Sequence, residues 1–202
     1  MNSNTPTPKL SDDVINQIKY FPRHYELTEE QKSLIDELIP NEELREQYKK
    51  YGLCNECSQP NTGRDNSYDR YGWCQSCNSQ RFQQEFNKWT SGNKEIDEFI
   101  QNFQLNATCY EEVLEWIPYE KFSDIEYLAK GGFGTVHKAK WIDGYIGSWN
   151  IDQNKWNRDH NCDIILKYLN NSQNLTTNFL QEVCNLLLII DIIFTKYILI
   201  FN

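Results

Sequence analysis

Ile125-Glu126-Tyr127-Leu128-Ala129-Lys130-Gly131-Gly132-Phe133-Gly134-Thr135-Val136 decides how the second half of this 202-residue chain is read. Ile125, Tyr127 and Ala129 alternate with polar neighbours, as do Val136, Lys138 and Lys140 beyond the glycine run. That pattern predicts two strands joined by a Gly-rich hairpin. The apolar run Ile164-Ile165-Leu166 ends on Lys167 inside a third predicted strand, Asp163 to Leu169. Thr176 or Thr177 is positioned to cap a helix bearing Phe179, Leu180, Val183 and Leu187, and on it Glu182 follows Lys167 by 15 positions. Trp141 to Asp163 is polar and rich in Asn, Trp and Gly, and is expected to be a long loop.

The order glycines, lysine, glutamate has a chemical sense. Glycines let backbone N–H groups approach phosphate oxygens without side-chain interference. A lysine supplies a point charge, and a carboxylate holds it in place and keeps it protonated. On these residues, together with Trp116-Ile117-Pro118-Tyr119-Glu120-Lys121-Phe122, the chain resembles the N-terminal lobe of the eukaryotic protein kinase family. In particular it resembles a fungal expansion of tyrosine-kinase-like, nominally Ser/Thr, kinases in which a cysteine-containing leader precedes the kinase domain. The resemblance spans 116–183 clearly and 51–115 loosely. It implies ATP as ligand, with Ala129, Gly131, Gly132, Phe133 and Gly134 at the phosphates, Val136 over the adenine, Lys167 on the phosphates and Glu182 as its ion-pair partner. It departs from the family pattern where Ala129 replaces the first glycine and Ile165 replaces a small alanine. No His-Arg-Asp or Asp-Phe-Gly triplet occurs in these residues, so no catalytic residue is assigned, and Mg²⁺ is expected only with a complete C-terminal lobe. The resemblance implies phosphoryl transfer to protein Ser/Thr in a full-length form. The alternative is a non-catalytic protein-interaction module with a vestigial lobe.

In the first half, Cys54-x-x-Cys57 and Cys74-x-x-Cys77 are two of the features formed by the seven cysteines. The N-terminus shows no secretory signal, so a cytosolic or nuclear address is expected, where thiols stay reduced and such pairs favour metal over disulfide. A closed Cys₄ zinc ribbon, with each pair on a tight turn, is predicted; four unligated thiols are the alternative. Tyr68, Tyr71 and Trp73 are expected to pack around that small metal core. Cys109, Cys162 and Cys184 lack an adjacent His, and His24, His137 and His160 stand away from other ligands, so neither set suggests a site.

Local signals fill in the rest. Thr28 and Gln31 have capping-box spacing ahead of a helix with Leu34, Ile35 and Leu38 on its apolar stripe, ended by Pro40. Asn41 caps a second helix carrying Leu44 and Tyr48, which Gly52 stops. Asn93 precedes Ile96, Phe99, Ile100 and Phe103 on one helix face, and Tyr110 to Trp116 predicts a further short turn. The expected class is α+β: a disordered or loosely ordered leader (1–26), a helical segment (27–51), a Cys₄ module (52–88), a helical linker (89–118) and a partial kinase-like lobe with an antiparallel sheet and one helix (119–202).

Net charge is -9 and pI is about 4.9, which argues against nucleic acid or an anionic membrane surface as the main partner. Between Gly52 and Lys88 the cations Arg64, Arg70, Arg81 and Lys88 are matched by Glu56, Asp65, Asp69 and Glu85. ATP and a protein substrate or partner are the expected ligands. The apolar tail Leu186 to Phe201 is interrupted by Asp191 and Lys196. It admits a membrane helix, a helix plus fourth strand, or a reading frame running into A/T-rich sequence; composition favours the last.

Overall fold

The structure, a computed structural model, describes residues 8–22, 26–64, 72–131, 134–169 and 196–200. The chain divides into two units, residues 1–84 with 105–113 and residues 85–104 with 114–202.

The first unit is built on capped helices. Helix α1 (Asp12–Ile18) starts where Ser11 Oγ accepts from the Val14 N–H, and Asp12 and Asp13 sit in its positive first turn. It lies in the leader expected to be loosely ordered, and it is ordered because Ile15 and Ile18, one turn apart, are both buried. Helix α2 (Glu29–Leu38) has the reciprocal capping box of Thr28 and Gln31, at 3.0 and 3.2 Å. Helix α3 (Glu42–Tyr51) is capped by Asn41 Oδ1, 2.9 Å from the Leu44 N–H. Gly52 ends it at φ +70°, a conformation that costs glycine little.

Ile18, Ile35 and Ile39, each at most 1% exposed, centre a core that also takes Leu10, Ile15, Leu27, Leu44 and Tyr48. Each such aliphatic side chain contributes roughly 1.5–3 kcal/mol on burial. Leu34, expected in the α2 stripe, instead lies at its exposed rim. The Tyr48 hydroxyl donates to the Ile18 carbonyl at 2.9 Å, tying α3 to the end of α1. A short hairpin follows, β1 (Gly63–Arg64) against β2 (Gly72–Trp73), and then helix α4 (Gln75–Glu85).

The second unit contains helix α5 (Lys94–Asn106), started by Asn93 Oδ1, which accepts from the Glu95 N–H at 2.9 Å. Ile96 and Ile100 are buried with Trp89, Phe99 and Leu114 against them. Single 3₁₀ turns occupy Tyr110–Glu112, in the first unit, and Tyr119–Lys121, in the second.

The main sheet has the order β3 (Phe122–Gly131), β4 (Gly134–Trp141), β7 (Cys162–Leu169), β8 (Lys196–Ile200). The first three strands are antiparallel, as expected of the glycine hairpin and third strand. The fourth corrects the expectation of an all-antiparallel sheet, because β8 runs parallel to β7. Residues 170–195 join them, more than the dozen or so that a parallel crossover needs. The β8 strand belongs to the tail; among the described residues no helix is long and apolar enough to cross a membrane. Phe122, Ala139, Trp141, Ile164 and Leu166 form the buried face of the sheet.

The predicted long loop is instead a second hairpin, β5 (Tyr145–Asn150) with β6 (Lys155–Asp159). Trp149 and Trp156 face each other across it, with centroids 5.0 Å apart and rings edge-on. Such a cross-strand aromatic pair stabilises a strand pair whose composition alone reads as loop. Glu115 anchors the hairpin: one carboxylate oxygen accepts from the Ile146 N–H at 3.2 Å, and the other pairs with Arg158 at 2.6 Å. At the hairpin base Gly144 has φ +65°, and an added Cβ would lie 1.6 Å from the Asp159 carbonyl oxygen.

Two outcomes are expected. Gly144→Ala destabilises the second unit by at least about 2 kcal/mol in urea unfolding, since strain and clash coincide there; an unchanged midpoint contradicts this packing. Burial pushes the Tyr48 phenol up to about 12. The raised folded-state value means its contribution is fully present below the ordinary phenol range and is lost as pH climbs through about 12. Tyr48→Phe therefore removes part of the alkaline loss of stability, measured by unfolding between neutral pH and that range.

Candidate functional site

In the first unit the two cysteine pairs converge. Cys54 and Cys57 lie on a turn in which the Ser58 N–H donates to the Cys54 carbonyl at 2.9 Å and the Cys54 N–H donates to the Gln59 carbonyl at 2.8 Å. Ser58 takes φ +56°, and a Leu53–Pro60 bridge closes the turn. The second pair is not on a free turn, which corrects the two-turn expectation. Cys74 immediately precedes α4 and Cys77 lies in its first turn, with the Asn78 N–H donating to the Cys74 carbonyl at 3.0 Å. Leading into a helix this way fixes both side chains on one side of its N-terminal turn.

The four sulfurs lie within 4.8 Å of one another. Cys54 Sγ is 3.9 Å from Cys77 Sγ, and Cys57 Sγ is 3.6 Å from Cys74 Sγ. A tetrahedron of sulfurs about 2.3 Å from a central zinc has edges of about 3.8 Å, so both spacings match a shared ion rather than a bonded disulfide. Cys54 and Cys74 are buried, and Cys57 and Cys77 are half-buried. The Glu56 N–H points to Cys54 Sγ at 3.4 Å, the kind of donor that steadies a thiolate.

Hydrogen bonding among the thiols sets their protons. Cys57 pushes Cys54 up, but Cys74 and Cys77 together outweigh it, leaving Cys54 at about 6. Cys54, Cys74 and Cys77 hold Cys57 well below the usual thiol range. Cys74 and Cys77 are held well above it, chiefly by Cys54 and Cys57. Two sulfurs thus give up protons readily, and a bound cation must displace the other two.

The surroundings are packed and satisfied. Trp73 is 1% exposed, packs near Phe82 and donates its Nε1–H to the Ala107 carbonyl at 2.9 Å. Of the three aromatics expected around a metal core, Trp73 directly precedes Cys74, and Tyr68 and Tyr71 lie outside the described residues. Arg81 reaches both ligand pairs, donating to Asn78 Oδ1 at 2.6 Å and pairing with Glu56. Arg81, Glu56 and Asn78 were not recognisable as site residues from sequence, where Arg81 and Glu56 read only as balanced charges. The one available signal is that Glu56 lies inside the first Cys-x-x-Cys and Asn78 directly follows the second.

With four protein sulfurs and no open position, the cluster has the form of a structural centre that could hold a metal ion, and its soft ligand set is compatible with zinc. Away from it, burial and the neighbouring Glu111 push the Cys109 thiol up to about 11, so it stays protonated.

In the second unit the strand register gathers part of the predicted phosphate site. Ala129 pairs with Val136, and Val136 pairs with Lys167, so the three form one row across β3, β4 and β7. Directly paired residues share a face, hence Ala129, Val136 and Lys167 lie on the same side, and Ile165 two residues earlier joins them.

A bulge makes this row. On β3 the register advances two residues between Tyr127 and Ala129 while β4 advances one, so Leu128 is the extra residue. Without it Leu128 would occupy the row and Ala129 the opposite face. A second irregularity lies between Ser123 and Glu126, where Asp124 takes φ +51°. Gly131 pairs with Gly134 at the hairpin end.

Lys167 is half-buried and makes no ion pair among the described residues, whereas Lys138 on the same face pairs with Asp163 at 3.5 Å. Gly132, Phe133 and Glu182, with the helix predicted to carry Glu182, lie outside the described residues.

No protein-family model, curated protein or solved structure matches the chain.

The reduced protein is expected to take up one Co²⁺ per chain with the visible bands of a tetrahedral four-thiolate site. Cys74→Ala should lose those bands, and uptake should weaken as pH falls and protons compete for the sulfurs. A spectrum unchanged by Cys74→Ala contradicts the assignment.

Proposed function

We propose that the chain is a kinase-like ATP-binding protein whose first unit is organised by a structural zinc ion. The sheet face bearing Ala129, Val136, Ile165 and Lys167 receives the nucleotide. Val136 and Ile165 contact the adenine, the Gly131–Gly134 hairpin end covers the phosphates, and the Lys167 ammonium pairs with them. Glu182 is the partner that steadies this ammonium. The cross-strand row Ala129–Val136–Lys167 is the structural observation that supports this reading. The order of these residues in the sequence supports it independently.

Ile165 narrows the adenine side relative to an alanine, so the site favours a closely fitted purine over larger analogues. The all-sulfur ligand set supports zinc over harder cations for the first unit. A protein hydroxyl is the acceptor in a form that also carries a catalytic Asp and Mg²⁺ ligands. A second reading, a non-catalytic protein-interaction module, rests on the missing His-Arg-Asp and Asp-Phe-Gly triplets. Under either reading these 202 residues transfer no phosphate by themselves.

Binding of a fluorescent ATP analogue to wild type and Lys167→Ala, read by anisotropy, tests the proposal. Loss of the lysine should weaken binding about tenfold or more, since a charge-assisted contact to phosphate contributes about 1.5–3 kcal/mol. Equal affinity in the two proteins removes it.

A further inference from the structure

We propose that Arg81 is a positioning residue of the metal centre, a two-armed bracket that holds the Cys54/Cys57 turn and the α4 start in register; this rests on the zinc reading above. One guanidinium nitrogen donates to Asn78 Oδ1 at 2.6 Å, and the other pairs with Glu56 Oε2. Asn78 directly follows Cys77 and is only 5% exposed. Glu56 lies between Cys54 and Cys57, and its own N–H donates to Cys54 Sγ. A single planar fork therefore joins one neighbour of each ligand pair.

The arrangement differs from an ordinary surface ion pair. The Arg81 side chain is 13% exposed and that of Glu56 33%. Four thiolates around a divalent ion leave a net charge of about -2, which a nearby guanidinium offsets. Holding the Glu56 side chain also fixes the peptide whose N–H meets Cys54 Sγ. Second-layer contacts of this kind typically change metal affinity by about 10–100-fold.

Charge and geometry make different demands. Lysine keeps the charge, but its one ammonium cannot reproduce two parallel arms. Glu56→Gln keeps an acceptor and the shape but weakens that arm.

The test measures zinc affinity of the full chain by competition with a chromophoric chelator, together with the Co²⁺–thiolate charge-transfer band. Arg81→Ala and Arg81→Lys should both weaken zinc binding about 10–100-fold and shift the band, and Glu56→Gln should fall between them and wild type. If Arg81→Ala does not fold, Arg81→Lys and Glu56→Gln decide. Wild-type affinity and an unshifted band in both of these overturn the bracket while leaving the zinc centre standing. A wild-type protein that takes up neither Zn²⁺ nor Co²⁺ overturns the zinc reading itself, and the bracket with it.

Discussion

Four sulfur atoms within 4.8 Å of one another are an unstable set unless something holds them. As thiolates they repel, and as thiols they bring together weak donors in a partly buried pocket. A divalent cation turns the same geometry into a net attraction, and the Sγ–Sγ spacings of 3.9 and 3.6 Å suit a tetrahedron of thiolates around it. Closure of the Cys54–Cys57 turn onto the start of α4 would depend on that cation. The Cys54–Cys57 turn follows α3 directly, and Cys74 leads into α4, so an ion held there would join segments that the β1–β2 hairpin and the Arg81–Glu56 pair also link. The aliphatic core of α1, α2 and α3 is separate from the sulfurs and stabilises its own part of the unit.

The second unit is organised by register rather than by an ion. Its sheet keeps one face for Ala139, Trp141, Ile164 and Leu166 and puts Val136, Ile165 and Lys167 on the other. Because a strand alternates strictly, one extra residue decides which side chains share a face. Leu128 is that residue: it bulges out of β3, half exposed, and the small Ala129 rather than a bulky leucine stands beside Val136. The Glu115–Arg158 pair plays the corresponding part for the added hairpin, using both carboxylate oxygens.

Features decided within a few residues were legible in the sequence. The Thr28–Gln31 box, the Asn41 and Asn93 caps and the stop at Gly52 depend only on neighbours three or four positions away. The four cysteines were legible for the same reason, each pair being a short local motif. Helix α1 is masked in the sequence by the polar composition of its leader, although Ser11, Ile15 and Ile18 carry a cap and a one-turn spacing. The β5–β6 hairpin was hidden because its stability comes from Trp149 meeting Trp156 and from Glu115, far back in the chain. The parallel pairing of β8 and the Arg81–Glu56 bridge are likewise long-range matters that local pattern does not encode. The row Ala129–Val136–Lys167 was legible as a list of residues, whereas the bulge that aligns it was not.

Native mass spectrometry of the reduced, purified chain tests the central claim most directly. The expected mass exceeds that of the polypeptide by one zinc ion, which is lost on acidification together with the compact charge-state distribution of the chain. A native-state mass equal to that of the bare polypeptide, after purification without chelator and with zinc supplied, contradicts it.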